Sequence, residues 1–176
     1  MTLKDDLLQE IEETRGRFQQ LLDSIPESDY PRQSSNSAWT VGDVLYHVTL
    51  GPRAIVVEAW MILHARGLFQ FGMQHFPSER FNRVNARFAR RDARRLSRAG
   101  LGNAYENAHA ALRSALMRVR EQDFARSVIY PADLEPMIAG EVSVERLFRY
   151  AKAHFEAHAE QINSEPPPSA ENGVPG

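Results

Sequence analysis

Apolar side chains recur every three or four residues along several long segments of this chain, with charged side chains between them, which predicts amphipathic helices. The predicted helices cover residues 3–25, 41–66, 103–121 and 143–162. Thr40 and Ser143 are of a type that caps helix starts, and Asp43 follows Thr40 at the spacing of a capping box. Gly51 and Pro52 fall inside the second helix and predict a kink there.

The segments between these helices lack a regular pattern. Residues 67–102 and 122–142 contain scattered Gly and Pro. The pattern of neither segment predicts a strand. A link of roughly 30 residues between helices 2 and 3 is long enough for a crossover that makes those helices parallel, whereas the short link between helices 1 and 2 permits antiparallel neighbours. The prediction is an all-α fold, a four-helix bundle running up, down, down and up.

The C-terminal residues differ in composition from the rest. Residues 164–176 are rich in Pro, Gly and Ser and predict a disordered tail. The predicted domain therefore covers residues 1–163.

The second helix is apolar around most of its circumference, which predicts burial on several sides or a subunit interface, and hence a homodimer. Its charged and histidine side chains interrupt it too often for a membrane span, so no membrane partner is expected.

Composition narrows the chemistry further. The 176 residues include no cysteine, which excludes disulfides, thiolate metal ligands and a cysteine nucleophile. The N-terminus lacks the basic and apolar regions of a secretory signal, so a cytoplasmic location is predicted. The net charge of −2 gives no general attraction to nucleic acid.

Arginines are concentrated in one stretch, residues 80–98. They are Arg80, Arg83, Arg87, Arg90, Arg91, Arg94, Arg95 and Arg98. A solvated basic face is the favoured interpretation, and the alternative is a cover over a site that binds a ligand carboxylate. Nucleic-acid binding is disfavoured because Phe81 and Phe88 are the only aromatic residues interleaved with these arginines.

Two histidines of the last predicted helix, His154 and His158, are four residues apart, so both imidazoles could reach one metal ion. A metal site needs at least a third protein ligand, which must come from another part of the fold. His47 lies seven residues past Thr40, about 10 Å along its helix, and this depth matches that of the other two if the helices are antiparallel. The alternatives are a packed core role for His47 and ordinary solvated roles for the pair.

Other candidate ligands fit less well. His64 lies at the far end of the second helix, His75 in an irregular segment and His109 at a polar border of the third helix, so all three are interpreted as ordinary histidines. Glu58 lies about 16 Å beyond His47 on the same helix face and is expected to be a buried or interfacial carboxylate.

The sequences WTVGDVLYH at 39–47 and HFEAHAEQI at 154–162 resemble those of the DinB-like (YfiT-like) family of metal-dependent helical bundles. The resemblance implies the up-down-down-up fold and a divalent metal, usually zinc or nickel, bound by His47, His154 and His158. Many members carry a further histidine beside the last ligand, where this chain has Ala157 or Ala159, so any role of that neighbour is absent here.

Three imidazoles leave one coordination position open, as in catalytic rather than structural sites. A low-molecular-weight thiol could bind there as the nucleophile of an S-transferase, as the resemblance implies for some relatives, or a water could serve a hydrolase. With no cysteine in the chain, the thiol would be an external cosubstrate. The alternative of another class is a non-enzymatic dimeric bundle with incidental metal binding. No catalytic residue beyond the ligands is assigned.

Overall fold

The computed structural model describes residues 2–75, 97–133 and 136–163. Over these residues the chain is mostly helical, with one small sheet. Its elements are α1 (Leu3–Ser24), α2 (Val41–His64), α3 (Arg66–His75), α4 (Arg98–Arg118), β1 (Ser127–Tyr130), β2 (Gly140–Ser143) and α5 (Val144–Asn163). The predicted tail and seven of the eight clustered arginines lie outside the described residues.

Helix α2 begins at the predicted capping box. The Thr40 hydroxyl accepts from the Asp43 backbone N–H at 3.2 Å, and the Asp43 carboxylate accepts from the Thr40 N–H at 3.0 Å. The helix then continues unbroken through Gly51 and Pro52. The cap fixes where α2 starts and therefore how deep His47 lies along it.

The long helices pack in four main pairs: α1 and α2 each pack against α4 and against α5. The short link therefore does not make α1 and α2 a main packing pair. Each buries its apolar face against α4 and α5, and the link of residues 25–40 is long enough to cross one end of the fold.

Polar contacts give the relative directions of α1 and its two neighbours. Lys4 Nζ donates to the Val119 carbonyl at 2.8 Å and Arg15 contacts Glu106 at 3.1 Å, so α1 and α4 run in opposite directions. Arg149, near the start of α5, forms ion pairs with acidic side chains in the first half of α1, whereas Glu156 lies 2.5 Å from Arg17. Helices α1 and α5 thus run in the same direction.

The expectation of no strands was wrong. β1 and β2 form an antiparallel pair in which Val128 lies opposite Val142. The missed signal is the run SVIY, whose β-branched and aromatic residues alternate in burial: Val128 and Tyr130 are buried, and Ile129 is exposed. Gly140 has φ of +87°, a left-handed conformation that favours glycine at the start of β2.

The secondary structure after α2 also differs from the prediction. Residues predicted to be irregular form α3, whose helical pattern was obscured by Gly67 and Gly72.

Helix α4 begins at Arg98 instead of 103. Ser97 caps this start, and the first turns of the helix include Gly100 and Gly102, which weakened the helical pattern there. Its Arg98 guanidinium donates to the Ile25 carbonyl at 2.7 Å, which ties α4 to the end of α1.

Helix α2 is not enclosed on all sides within one chain, since Val57 and Trp60 are 61% and 56% exposed. No single helix in the described part of the chain is long and apolar enough to span a membrane. Helices α2 and α3 pass that test only as a pair, and they meet at a bend of 120°.

Candidate metal centre

Three histidines from two helices converge at one point. His47 lies near the start of α2, and His154 and His158 lie in the second half of α5. One nitrogen from each can be chosen so that all three lie within 4.8 Å of one another. Within the described residues, these three histidines form a cluster of metal-binding side chains that could hold one metal ion.

The loop before α2 fixes this convergence by binding the end of α5. The Ser35 backbone N–H donates to the Gln161 carbonyl at 3.0 Å, and the Arg32 guanidinium donates to the Ile162 carbonyl at 3.2 Å. Both acceptors are among the last carbonyls of α5, which have no partner inside the helix. These hydrogen bonds therefore give partners to the last carbonyls of α5. They also bring the first turns of α2 to the depth of His154.

The imidazole pair at the centre is tightly spaced. His47 Nε2 and His154 Nε2 are 3.2 Å apart. Two imidazole nitrogens bound to one zinc ion at about 2.0–2.1 Å stand about 3.3 Å apart in a tetrahedral arrangement. These two nitrogens therefore already have the separation that a shared ion requires.

Burial keeps the central imidazoles neutral. His154 is only 8% exposed, and burial, followed by the charges of His158 and His47, lowers its pKa well below the usual value. Burial, and secondarily the charge of His158, lowers the pKa of His47 from 6.5 to about 3. Since a metal binds the neutral imidazole, both rings are in the ligating form at neutral pH.

His158 is oriented by a neighbour one turn further along α5. Its Nδ1 lies 3.0 Å from Gln161 Oε1. With the Gln161 amide in this orientation its oxygen accepts, so this contact fits the His158 tautomer that carries its hydrogen on Nδ1 and keeps the Nε2 lone pair for an ion. An acceptor on the distal nitrogen is the usual arrangement around a metal-binding histidine.

His154 occupies a space that depends on a glycine of α2. A Cβ added to Gly51 would lie 2.8 Å from His154 Nδ1 and 2.9 Å from its Cε1. These distances are shorter than van der Waals contact, so a side chain at position 51 would displace the imidazole. Sequence reasoning treated Gly51 only as part of a kink, because contacts between helices leave no signal in the periodicity of either one.

The donor set fits a divalent transition metal. It consists of three nitrogen ligands with no charge of their own, which suits zinc, nickel or a similar ion. His47 Nε2 is the nitrogen that faces His154, and His47 Nδ1 is buried and lacks a hydrogen-bond partner among the described residues.

The remaining histidines lie elsewhere. His64 is exposed and contacts the Trp60 ring, and His75 Nδ1 lies 2.9 Å from the Phe71 carbonyl. His109 is not at a polar border but buried, and its Nε2 donates to the Ile11 carbonyl at 2.9 Å. The expectation about its position was wrong because the α4 face that it occupies packs against α1.

Glu58 forms a hydrogen bond to the sheet. Its carboxylate accepts from the Tyr130 hydroxyl at 2.8 Å, which links α2 to β1. Glu58 was expected to be a buried or interfacial carboxylate; in the structure it is half-buried and lies outside the histidine cluster.

Acidification should destabilise the metal-free protein through the two buried imidazoles. The folded-state pKa of His47 is about 3 and its ordinary value is 6.5, so between these values the unfolded chain binds more protons. The free energy of unfolding should fall as pH decreases from 6.5 towards 3, by up to about 1.4 kcal/mol per pH unit for each buried histidine. Above pH 6.5 this contribution should not vary.

Denaturant titrations between pH 4.5 and 8 measure this effect, with His47→Gln as the control that removes one titrating group. The control should lose less stability over the acidic range than the wild type does. Identical pH profiles for both proteins would contradict the assignment of His47 as a buried neutral imidazole.

Comparison with known proteins finds one family whose sequence pattern matches most of this chain. The model of the DinB superfamily matches residues 10–162, which include all three histidines. A comparison with curated protein sequences gives no match.

Two solved structures resemble this fold. One is the mycothiol-dependent maleylpyruvate isomerase, with a TM-score of 0.67 and 14% sequence identity. The other is a histidine-to-alanine mutant of the same isomerase, with a TM-score of 0.66 and the same identity. Each match covers 94% of this chain but 62% of the other, so this chain spans less than two thirds of their length. At this identity the likeness shows a shared fold.

Proposed function

This chain belongs to the DinB superfamily, and from that premise we propose that it is a divalent-metal-dependent enzyme whose ion is held by His47, His154 and His158. The observation that carries the proposal is the convergence of these three imidazoles. Zinc and nickel are the proposed metals, because both accept a ligand set made only of imidazole nitrogens.

The proposed architecture is an up-down-down-up four-helix bundle made by α1, α2, α4 and α5, with a long crossover between α2 and α4. The opposite directions of α1 and α4 support it, as do the equal directions of α1 and α5. The bundle domain is proposed to cover residues 1–163, followed by a disordered tail. The proposed protein is a cytoplasmic homodimer.

The proposed reaction is an S-transfer that uses an external low-molecular-weight thiol. One similar structure is that of a mycothiol-dependent enzyme, which supports a thiol cosubstrate here, and the absence of cysteine means that this chain supplies no thiol itself. In the overall reaction a sulfur–carbon bond forms at an electrophilic carbon. On a substrate with a leaving group the thiol proton departs with that group, and on an activated alkene the proton is added to the neighbouring carbon.

The histidines set the charge of the proposed site. All three are neutral ligands, so they leave the double positive charge of the ion uncompensated and favour an anionic partner such as a thiolate. When bound, the ion supplies the positive charge that lowers the pKa of a coordinated thiol. His154 is buried against Gly51, so little solvent reaches this ring.

The metal-loaded protein should consume electrophiles at a rate that depends on added thiol. A free thiol with a pKa of about 8.5 is only about 3% thiolate at pH 7, so full ionisation should raise its reactive fraction about 30-fold. The measurement compares turnover of an electrophile panel that includes maleylpyruvate, with and without glutathione or mycothiol, for metal-loaded and metal-free protein.

The matched control is His64→Ala, which removes an exposed histidine outside the cluster and should leave the rate unchanged. A rate that depends on metal but is indifferent to thiol would contradict the S-transferase proposal and favour a hydrolase. Metal binding with no turnover of any electrophile would instead favour the non-enzymatic bundle.

A further inference from the structure

Among the residues that the structure describes, none accepts from His47 Nδ1 in the way usual for a metal-binding histidine. Such a histidine normally donates from its distal nitrogen to a carboxylate, a carbonyl or a water, and this bond fixes the plane of the ring. The Nδ1 of His47 is buried and has no hydrogen-bond partner among the described residues. Among the described residues, the orientation of this ring depends on its contact with His154 Nε2 and on its contacts with neighbouring rings, one of which is Trp39.

Trp39 lies against two of the three imidazoles. Its ring meets that of His47 edge to face, with centroids 4.7 Å apart and planes at 78°. It is also parallel to the His158 ring within 2°, at a centroid distance of 6.3 Å. Both distances fall in the range of about 4.5–7 Å over which aromatic rings prefer these arrangements.

The loop before α2 holds Trp39 in place. The Trp39 carbonyl accepts from the Ser34 backbone N–H at 3.1 Å, from the Ser34 hydroxyl at 2.9 Å and from Gln33 Nε2 at 2.7 Å. Its own N–H donates to the Asn36 carbonyl at 2.9 Å. Ser34 is fully buried, so this anchor is part of the packed fold.

We propose that Trp39 is a positioning residue of the metal centre, whose indole orients His47 in place of a hydrogen-bond acceptor and steadies His158. The inference rests on the proposed metal site. In an edge-to-face pair the positive edge of one ring meets the negative face of the other, so rotation of His47 about its Cβ–Cγ bond loses that attraction. Because Trp39 directly precedes the Thr40 cap, the same turn sets both the depth and the ring plane of His47.

Cobalt binding to the full chain tests the proposal, with affinity measured by chelator competition and ligand geometry by the visible absorption band. Trp39→Leu should weaken cobalt binding by about 10- to 100-fold, as loss of an orienting partner does at other metal sites. It should also shift the band, because the His47 ring changes its orientation toward the ion. Trp39→Phe keeps an aromatic face and should lose less than about tenfold. Trp60→Phe, at the exposed tryptophan of α2, is the matched control and should leave both readouts unchanged.

Wild-type affinity and an unshifted band in Trp39→Leu would overturn the proposal while leaving the metal site standing. Absence of cobalt binding to the wild type would remove the site itself and the inference with it.

A fluorescence measurement keeps the test decisive if Trp39→Leu does not fold. Trp39 and Trp60 are the two tryptophans of the chain, so Trp39 is the sole reporter in the Trp60→Phe background. One equivalent of cobalt should quench its emission strongly. Cobalt binding without quenching would place Trp39 away from the ion and overturn the proposal.

Discussion

Replacing His154 with alanine should reduce bound zinc from one ion per chain to a trace and lower zinc affinity by more than 100-fold. His154 is the most buried member of the cluster and lies 3.2 Å from the ligating nitrogen of His47. Its loss leaves two ligands on different helices, which is fewer than a stable zinc site requires. The effect should exceed the roughly 10- to 100-fold loss typical of removing an orienting partner. Metal analysis of untagged protein and chelator competition measure it.

Two other histidines provide controls for this variant. His64→Ala removes an exposed imidazole and should retain the ion. His109→Ala removes a buried one that donates to the Ile11 carbonyl, so it should lower stability by about 1–3 kcal/mol and still retain the ion. Full metal retention by His154→Ala, or equal loss in His109→Ala, would refute a specific role for His154.

Gly51→Ala should weaken metal binding by at least about tenfold although position 51 supplies no ligand. The new Cβ would lie under 3 Å from two atoms of the His154 ring, so the ring or the helix must shift. Overpacking of this kind costs about 1–3 kcal/mol, which here should appear in the stability of the metal-free protein as well. Thermal unfolding and chelator competition measure the two effects.

The matched control is Gly16→Ala in α1, where a Cβ would meet nothing within 4 Å. Replacing a helical glycine at an open position should stabilise the protein by about 0.5–1 kcal/mol and leave metal affinity unchanged. If Gly51→Ala bound metal as tightly as the wild type, the space beside His154 would not be a requirement of the site.

The sequence was sufficient for those features that depend on local rules. Thr40 and Asp43 predicted the start of α2, since capping depends on residues three positions apart. The fixed rise of a helix then allowed the depth of His47 to be compared with that of His154 and His158, and the structure brings all three together.

Features that depend on contacts between elements were missed. The close approach of Gly51 to His154 and the packing of Trp39 against His47 both arise where separate segments meet. Periodicity within one segment carries no record of such contacts. The β1–β2 pair was missed because four-residue strands give too short a pattern to stand out from an irregular segment.

The most direct measurement of the central claim is anomalous scattering at the zinc absorption edge from crystals of the untagged, zinc-loaded protein. The account predicts one strong peak per chain, about 2.0–2.1 Å from one nitrogen each of His47, His154 and His158. Absence of a peak between these rings, or imidazoles that point away from one another, would contradict it.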